Sequence, residues 1–201
     1  MAWVRTLNEG EVAGALRKVY EAELARLGFV MEATKALSIK PDLAQAFDTF
    51  TGAVKEASAL TPQERRLISL LVADRLGSTY CVLVYAVEVE RDLGGLDRVR
   101  AVLRNYRGAG LSAREVAILD YAVTATTGHP TEEQVLRLHE VGVDDGGIID
   151  VAVWANLRAF RSRIYEALGV QTDSFFLEQD DLVQAIRAQE EQQHTMGTAF
   201  S

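Results

Sequence analysis

Residues 60–85 read LTPQERRLISLLVADRLGSTYCVLVY, and this stretch decides the fold. Thr61, Pro62 and Glu64 form a helix start: a capping hydroxyl, a proline in the first turn and an acceptor at the third helical position. An apolar helix follows and closes at Gly77, and a second helix carries Cys81. Residues 111–128, LSAREVAILDYAVTATTG, repeat the pattern in leucine, capping hydroxyl, glutamate and apolar register, and close at Gly128. Each copy leads into a further helix, so the sequence predicts an internally duplicated helical hairpin, with units at 60–94 and 111–142. Two such hairpins can bury their apolar faces against each other. The second copy has no cysteine, so thiol chemistry belongs to the first.

Elsewhere apolar residues recur at helical spacing, and no alternating run bounded by turn residues marks a strand. The fold class is therefore all-α. Helices are expected over 9–27, 31–38, 41–58, 61–76, 79–92, 96–106, 112–127, 132–141 and 145–168, with a further one within 175–193. The ending HTMGTAFS has no apolar periodicity and is expected to fray. We divide the chain into one helical domain, 1–174, and a C-terminal extension, 175–201.

The 201 residues are 48% apolar and 25% charged, which suits one core. A net charge of -8 argues against a nucleic-acid partner, which calls for clustered Lys and Arg. Arg158, Arg161 and Arg163 are the nearest approach to such a cluster, and we expect them to spread around a helix as solvated or ion-paired charges. No apolar run reaches the roughly 18 residues of a membrane span, and the opening MAWVRTLNEGEV has no signal or transit pattern. Cytoplasmic residence is the resulting expectation. A single cysteine forbids an intramolecular disulfide and fits a reducing compartment. His129, His139 and His194 show no metal-ligand spacing, and phosphate-loop, nucleophile-elbow and dinucleotide patterns are missing. Neither metal nor cofactor is expected. Trp3 and Trp154 are expected to pack, Trp154 as core or subunit contact.

Residues 60–85, 109–128 and the ALGV beginning at Ala167 resemble the alkylhydroperoxidase AhpD-like or carboxymuconolactone decarboxylase family, in particular its peroxidase-related branch. There a similar helix leads through a glycine into C-x-x-C-x-x-x-H, and here the frame reads Ser78-Thr79-Tyr80-Cys81-Val82-Leu83-Val84-Tyr85. The resemblance implies the AhpD-like helical fold and assembly as a trimer or hexamer. It also implies a relay in which a glutamate and the histidine take the proton of the second cysteine, the peroxide-attacking thiol, while the first cysteine resolves its sulfenic acid. Arg66 stands at the glutamate position, Ser78 at the first cysteine and Tyr85 at the histidine. Cys81 alone keeps the family residue. Glu64 lies two residues before Arg66, about 200° around the helix, and we assign it to the cap.

These replacements predict that cysteine-pair peroxide reduction is lost or greatly weakened. A thiol of ordinary pKa, about 8.5, needs a helix N-terminus or a cation to become a thiolate at neutral pH. Arg66 is a candidate for that role but cannot move a proton. Tyr85 is a weak base, better suited to donating a hydrogen bond, and shares a helix face with Cys81 and Glu88. Asp74 is either a polar pocket residue or an Arg-paired carboxylate. Three readings follow: a one-cysteine peroxidase recycled by an external thiol, a binding or assembly module, and non-redox chemistry on a small organic acid clamped by Arg66 with Tyr85 as donor.

Overall fold

Thr61 and Ser112 cap two helices by the same reciprocal bonds. Thr61 Oγ1 accepts from the Glu64 amide at 3.1 Å, and Glu64 Oε2 accepts from the Thr61 amide at 2.7 Å. Ser112 Oγ accepts from the Glu115 amide at 3.2 Å, and Glu115 Oε2 from the Ser112 amide at 2.8 Å. The two caps also clasp each other. Arg114 Nε donates to Glu64 Oε1 at 2.8 Å, and Gln63 Nε2 donates to Glu115 Oε1 at 2.6 Å. The residue at the second helical position of each copy thus reaches the glutamate at the third position of the other, as a duplicated hairpin requires.

The computed structural model describes residues 2–179, 181, 183–184 and 186. In order, the helices are α1 (Gly14–Leu27), α2 (Glu32–Lys35), α3 (Pro41–Ala57), α4 (Pro62–Arg75), α5 (Thr79–Leu93), α6 (Leu96–Asn105), α7 (Ala113–Thr127), α8 (Glu132–Glu140), α9 (Asp145–Ala167) and α10 (Ser174–Leu177), with a 3₁₀ turn at Tyr106–Gly108. No strand occurs among the described residues. The pairs α4–α5 and α7–α8 are the two hairpins, α4 packs on α7, and α9 packs across both. Their shared core includes Leu67, Leu71, Leu83, Ile118, Leu119 and Val151, all almost wholly buried. Val12, Leu16, Tyr20 and Val30 form a second, smaller cluster around α1.

Gly77 takes the left-handed conformation at φ 68°, which favours glycine and turns α4 into α5. Gly128, its counterpart, is extended at φ -158°, so the two copies end differently. The helix expected over 9–27 begins only at Gly14. Glu11 accepts from the Asn8 amide at 2.9 Å and fixes a turn there, which brings Val12 into the smaller cluster. The helix expected over 31–38 shortens to α2 before a run of turns. That expected within 175–193 is represented by α10, and Phe176, Val183 and Ile186 are buried in the main core. Residues 180, 182, 185 and 187–193 and the ending 194–201 lie outside the described residues.

The expected packing of Trp3 does not occur in the interior, since Trp3 is 78% exposed. Its amide donates to the Leu168 carbonyl at 2.8 Å, and its ring lies so close over Gly169 that a Cβ there would sit 2.3 Å from it. Trp154 is buried as expected. No helix among the described residues is long and apolar enough to cross a membrane.

Glu64 is 4% exposed, and its loss would strip acceptors from both the Thr61 amide and Arg114. Glu64→Ala is expected to lower the unfolding free energy by about 2–4 kcal/mol with an unchanged denaturant slope. Glu115→Ala, in the more exposed copy, is expected to cost about 1 kcal/mol. Urea titration checks both values.

Candidate functional site

A cavity of about 960 Å³ lies between α3 on one side and α4, α5 and α9 on the other. No residue of α3 is fully buried, because the face it turns inward borders this space. Cys81 and Tyr85, one turn apart on α5, line it, as do Arg66 and Glu88. Ser78 does not. It is wholly buried at the start of α5, and its hydroxyl leaves the helix uncapped to donate to Glu166 Oε1 at 2.9 Å. The structure therefore gathers Cys81, Tyr85 and Arg66 on one cavity and turns Ser78 away from it.

Arg66 does not have the freedom expected of a carboxylate clamp. Its Nε and Nη2 grip Asp92 Oδ2 and Oδ1 at 2.6 and 2.7 Å, a two-point pairing that occupies the guanidinium's best acceptor edge. The Asp92 hydrogen bond raises the Arg66 pKa against the opposing effect of burial. Because α4 and α5 run antiparallel, Arg66 meets the far end of α5. Asp92 stands about three turns beyond Cys81. Arg66 is thus placed to hold the hairpin together, away from the thiol. Asp74 lies outside the cavity lining and pairs with Arg75 at 3.3 Å, the ion-paired alternative of the two expected for it.

The charges that do face the Cys81 end of the cavity are Arg158 and Arg161, and the sequence reading misjudged both. Arg163 is exposed, as expected, whereas Arg158 is 6% exposed and Arg161 is half-buried. Neither forms an ion pair with a carboxylate among the described residues. The signal was available in the spacing. Trp154, Arg158, Arg161 and Tyr165 follow at steps of four, three and four, which puts all of them on one face of α9, and all four line the cavity.

Aromatic rings and hydroxyls replace the missing carboxylates. Arg158 Nη1 donates to the Tyr85 hydroxyl, and its guanidinium lies over the Trp154 and Tyr85 rings at 5.1 and 5.6 Å from their centroids. Arg161 Nε and Nη2 donate to the Tyr165 hydroxyl at 2.9 and 2.7 Å, and the guanidinium lies 5.2 Å from the Phe47 centroid. Burial works to lower the Arg161 pKa, but the Tyr165, Tyr85 and Cys81 side chains outweigh it and the pKa is raised. Burial pushes the Tyr165 phenol up even with Arg161 beside it. Trp154 is itself anchored, its Nε1 donating to the Arg65 carbonyl at 2.9 Å and to Ser69 Oγ at 3.2 Å.

Arg158 Nε and Nη2 are buried without an acceptor. A buried donor left unpaired costs roughly 1–3 kcal/mol, and more when charged. The cavity thus gathers the Cys81 thiol, the phenols of Tyr80, Tyr85 and Tyr165 and the guanidiniums of Arg158 and Arg161, and the carboxylates in its lining are Glu23, Asp48 and Glu88. The described residues contain no group of three His, Cys, Asp or Glu that could hold a metal ion. His139 Nδ1 lies 3.0 Å from the Val143 carbonyl oxygen and serves the end of α8.

The architecture is the AhpD-like helical fold. The chain is similar to a solved alkylhydroperoxidase AhpD core, an uncharacterized peroxidase-related protein from Ralstonia eutropha JMP134. The TM-score is 0.80 at 21% identity, over 87% of this chain and 94% of that one. A peroxidase-related protein from Silicibacter sp. TM1040 is similar at TM-score 0.75 and 24% identity, over 85% and 93% of the two chains. The debrominase Bmp8, as a cysteine-to-alanine variant in complex with 2,3,4-tribromopyrrole, has the same fold at TM-score 0.71 and 19% identity, over 93% and 95%. No family model and no curated protein matches the sequence.

Replacing a buried, incompletely paired ion by an apolar residue of similar length is commonly neutral or stabilising. Arg158→Met is therefore expected to leave the melting temperature unchanged or raised. Tyr85→Phe, which removes the acceptor of Arg158 Nη1, is expected to destabilise by about 1–3 kcal/mol. Thermal and urea unfolding of the two variants beside the parent checks the pair.

Proposed function

We propose that this chain is a peroxidase-related protein of the AhpD-like fold in which cysteine-pair peroxide reduction is lost or greatly weakened, leaving a small-molecule pocket around a single thiol. One observation carries the reading. Ser78, at the resolving position, cannot form a disulfide and is bonded to Glu166 off the cavity. The relay positions support it. Tyr85 accepts a bond from Arg158, and Arg66 is spent on Asp92, so neither serves Cys81 as a base. The cysteine variant of Bmp8 in complex with tribromopyrrole supports reading the cavity as a pocket for a small organic molecule.

A homo-oligomer, trimeric or hexameric, belongs to the same proposal. Ile149, Val153 and Phe160 form a partly exposed apolar row on α9, with the Phe160 ring also 5.4 Å from that of Phe47, a surface suited to a second copy of the chain. A reducing, cytoplasmic setting is also part of it, and a lone unpaired thiol accords with that.

Peroxide treatment with sulfenic-acid trapping, followed at Cys81 by mass spectrometry, tests the central claim. Modification is expected to be no faster than in the unfolded chain, without peroxide consumption in the presence of added thiol. Rapid trapping that depends on the fold, with turnover, would instead establish a one-cysteine peroxidase. For the assembly, Val153→Glu with Phe160→Glu is expected to reduce the mass measured by light scattering to that of one chain. An unchanged mass would move the interface elsewhere.

A further inference from the structure

We propose that the Arg158–Arg161 face of α9 binds the carboxylate of a small organic acid with an aromatic or otherwise apolar body. The inference takes the Cys81 pocket of the proposed function as its setting but does not require the thiol to react. Three observations carry it.

The first is the unfilled edge of Arg158. Two other guanidiniums that line the cavity use their Nε–Nη2 edges on acceptors. Arg66 gives that edge to the two oxygens of Asp92, and Arg161 gives it to the Tyr165 hydroxyl. Arg158 leaves the same edge without an acceptor, although the residue is 94% removed from solvent by its 6% exposure. That edge matches the two oxygens of a carboxylate, as Asp92 on Arg66 demonstrates within the same chain. Arg158 lines the cavity, but the fork itself is covered, with the guanidinium over the Tyr85 and Trp154 rings. Tyr85 is half-buried and accepts from Nη1, leaving the Nε–Nη2 edge to the acid, and in the proposed complex its ring turns aside as the acid enters.

The second is charge. The sequence has 29 acidic against 21 basic residues, yet the cavity lining reverses that balance. Arg26, Lys55, Arg65, Arg66 and Arg91 join Arg158 and Arg161 there, opposed by Glu23, Asp48 and Glu88. Arg26, Lys55 and Arg91 are exposed and Asp92 neutralises Arg66, so the outer charges steer an anion toward the cavity, while Arg158 and Arg161 are the pair placed to hold it. Arg158 and Arg161, three residues apart on one helix face, repel each other until an anion is bound.

The third is the remainder of the wall. Leu16, Val19, Met31, Leu37, Val84 and Phe47 give the body of the ligand an apolar surface, beside the polar Thr34, Gln45 and Thr51. Inorganic phosphate would satisfy the guanidiniums but leave this surface unused. A hydrophobic acid satisfies both, and 960 Å³ admits bodies considerably larger than one ring.

Calorimetric titration of the full chain with benzoate and with 1-naphthoate, beside the neutral isostere benzamide, tests the proposal. Saturable binding of the acids is expected, with benzamide weaker by about tenfold or more because it lacks the charge the guanidiniums require. Arg158→Met is expected to abolish acid binding while keeping the parent's melting temperature. Arg158→Lys, which keeps the charge but not the fork, is expected to weaken it by about tenfold. The titration contains neither peroxide nor added thiol, so its outcome is read independently of the sulfenic-acid trapping at Cys81. Equal affinity for benzoate and benzamide, no saturable acid binding, undiminished binding in Arg158→Met, or the same heat from sodium chloride at equal ionic strength would each overturn it.

Discussion

The rest of the structure depends on the crossed contact between two helix caps. A capping box satisfies only the amides of its own first turn, but here each glutamate of the box has a second oxygen, and the opposite copy supplies a donor for it. Arg114 takes Glu64, and Gln63 takes Glu115. This fixes the starts of α4 and α7 side by side and sets the angle at which their apolar faces meet. α9 packs on both helices, and its orientation follows from theirs. The face of α9 delivered to Cys81 and Tyr85 therefore depends on hydrogen bonds made between the starts of α4 and α7.

That dependence explains which features were legible in the sequence. Caps are local, so Thr61 with Glu64 and Ser112 with Glu115 could be read directly, as could the glycine that turns α4 into α5 and most of the helix limits. The duplication was visible because it repeats those local signals. The site was legible only where a side chain's place followed from its own helix, as with Cys81 and Tyr85 one turn apart on α5. Arg66 was misplaced because its partner is Asp92, 26 residues away, and Ser78 because its partner is Glu166, 88 residues away. No local pattern announces either pairing. Arg158 and Arg161 were a different kind of miss. Their spacing from Trp154 and Tyr165 marked them as core-facing, but arginine is so seldom buried without a carboxylate that residue type was given more weight than periodicity.

At the three positions where the resemblance expects glutamate, histidine and cysteine, the residues present have partners of their own. Arginine in place of glutamate removes a base and adds a fixed charge, which Asp92 neutralises. Tyrosine in place of histidine removes the one side chain whose ordinary pKa lies near neutrality and supplies an acceptor for Arg158. Serine in place of cysteine removes the resolving thiol and adds a hydroxyl bonded to Glu166. Each new residue has a specific partner, so the substitutions are accommodated in the structure and do not leave a damaged gap.

What is not accommodated is the inner edge of Arg158. A leucine or methionine would suit this position on α9, where the neighbours along the helix are Val151, Ala155, Leu157 and Ala159, all buried. Retaining a guanidinium there, stacked on Trp154 and short of acceptors, works against stability, since a buried charge gains little from packing and loses its hydration. Stability given up at one defined point of a cavity wall is the pattern expected where binding rather than folding selects the residue. The cavity's chemistry is therefore better sought in the cationic face of α9 than in the thiol whose surroundings first drew attention to it.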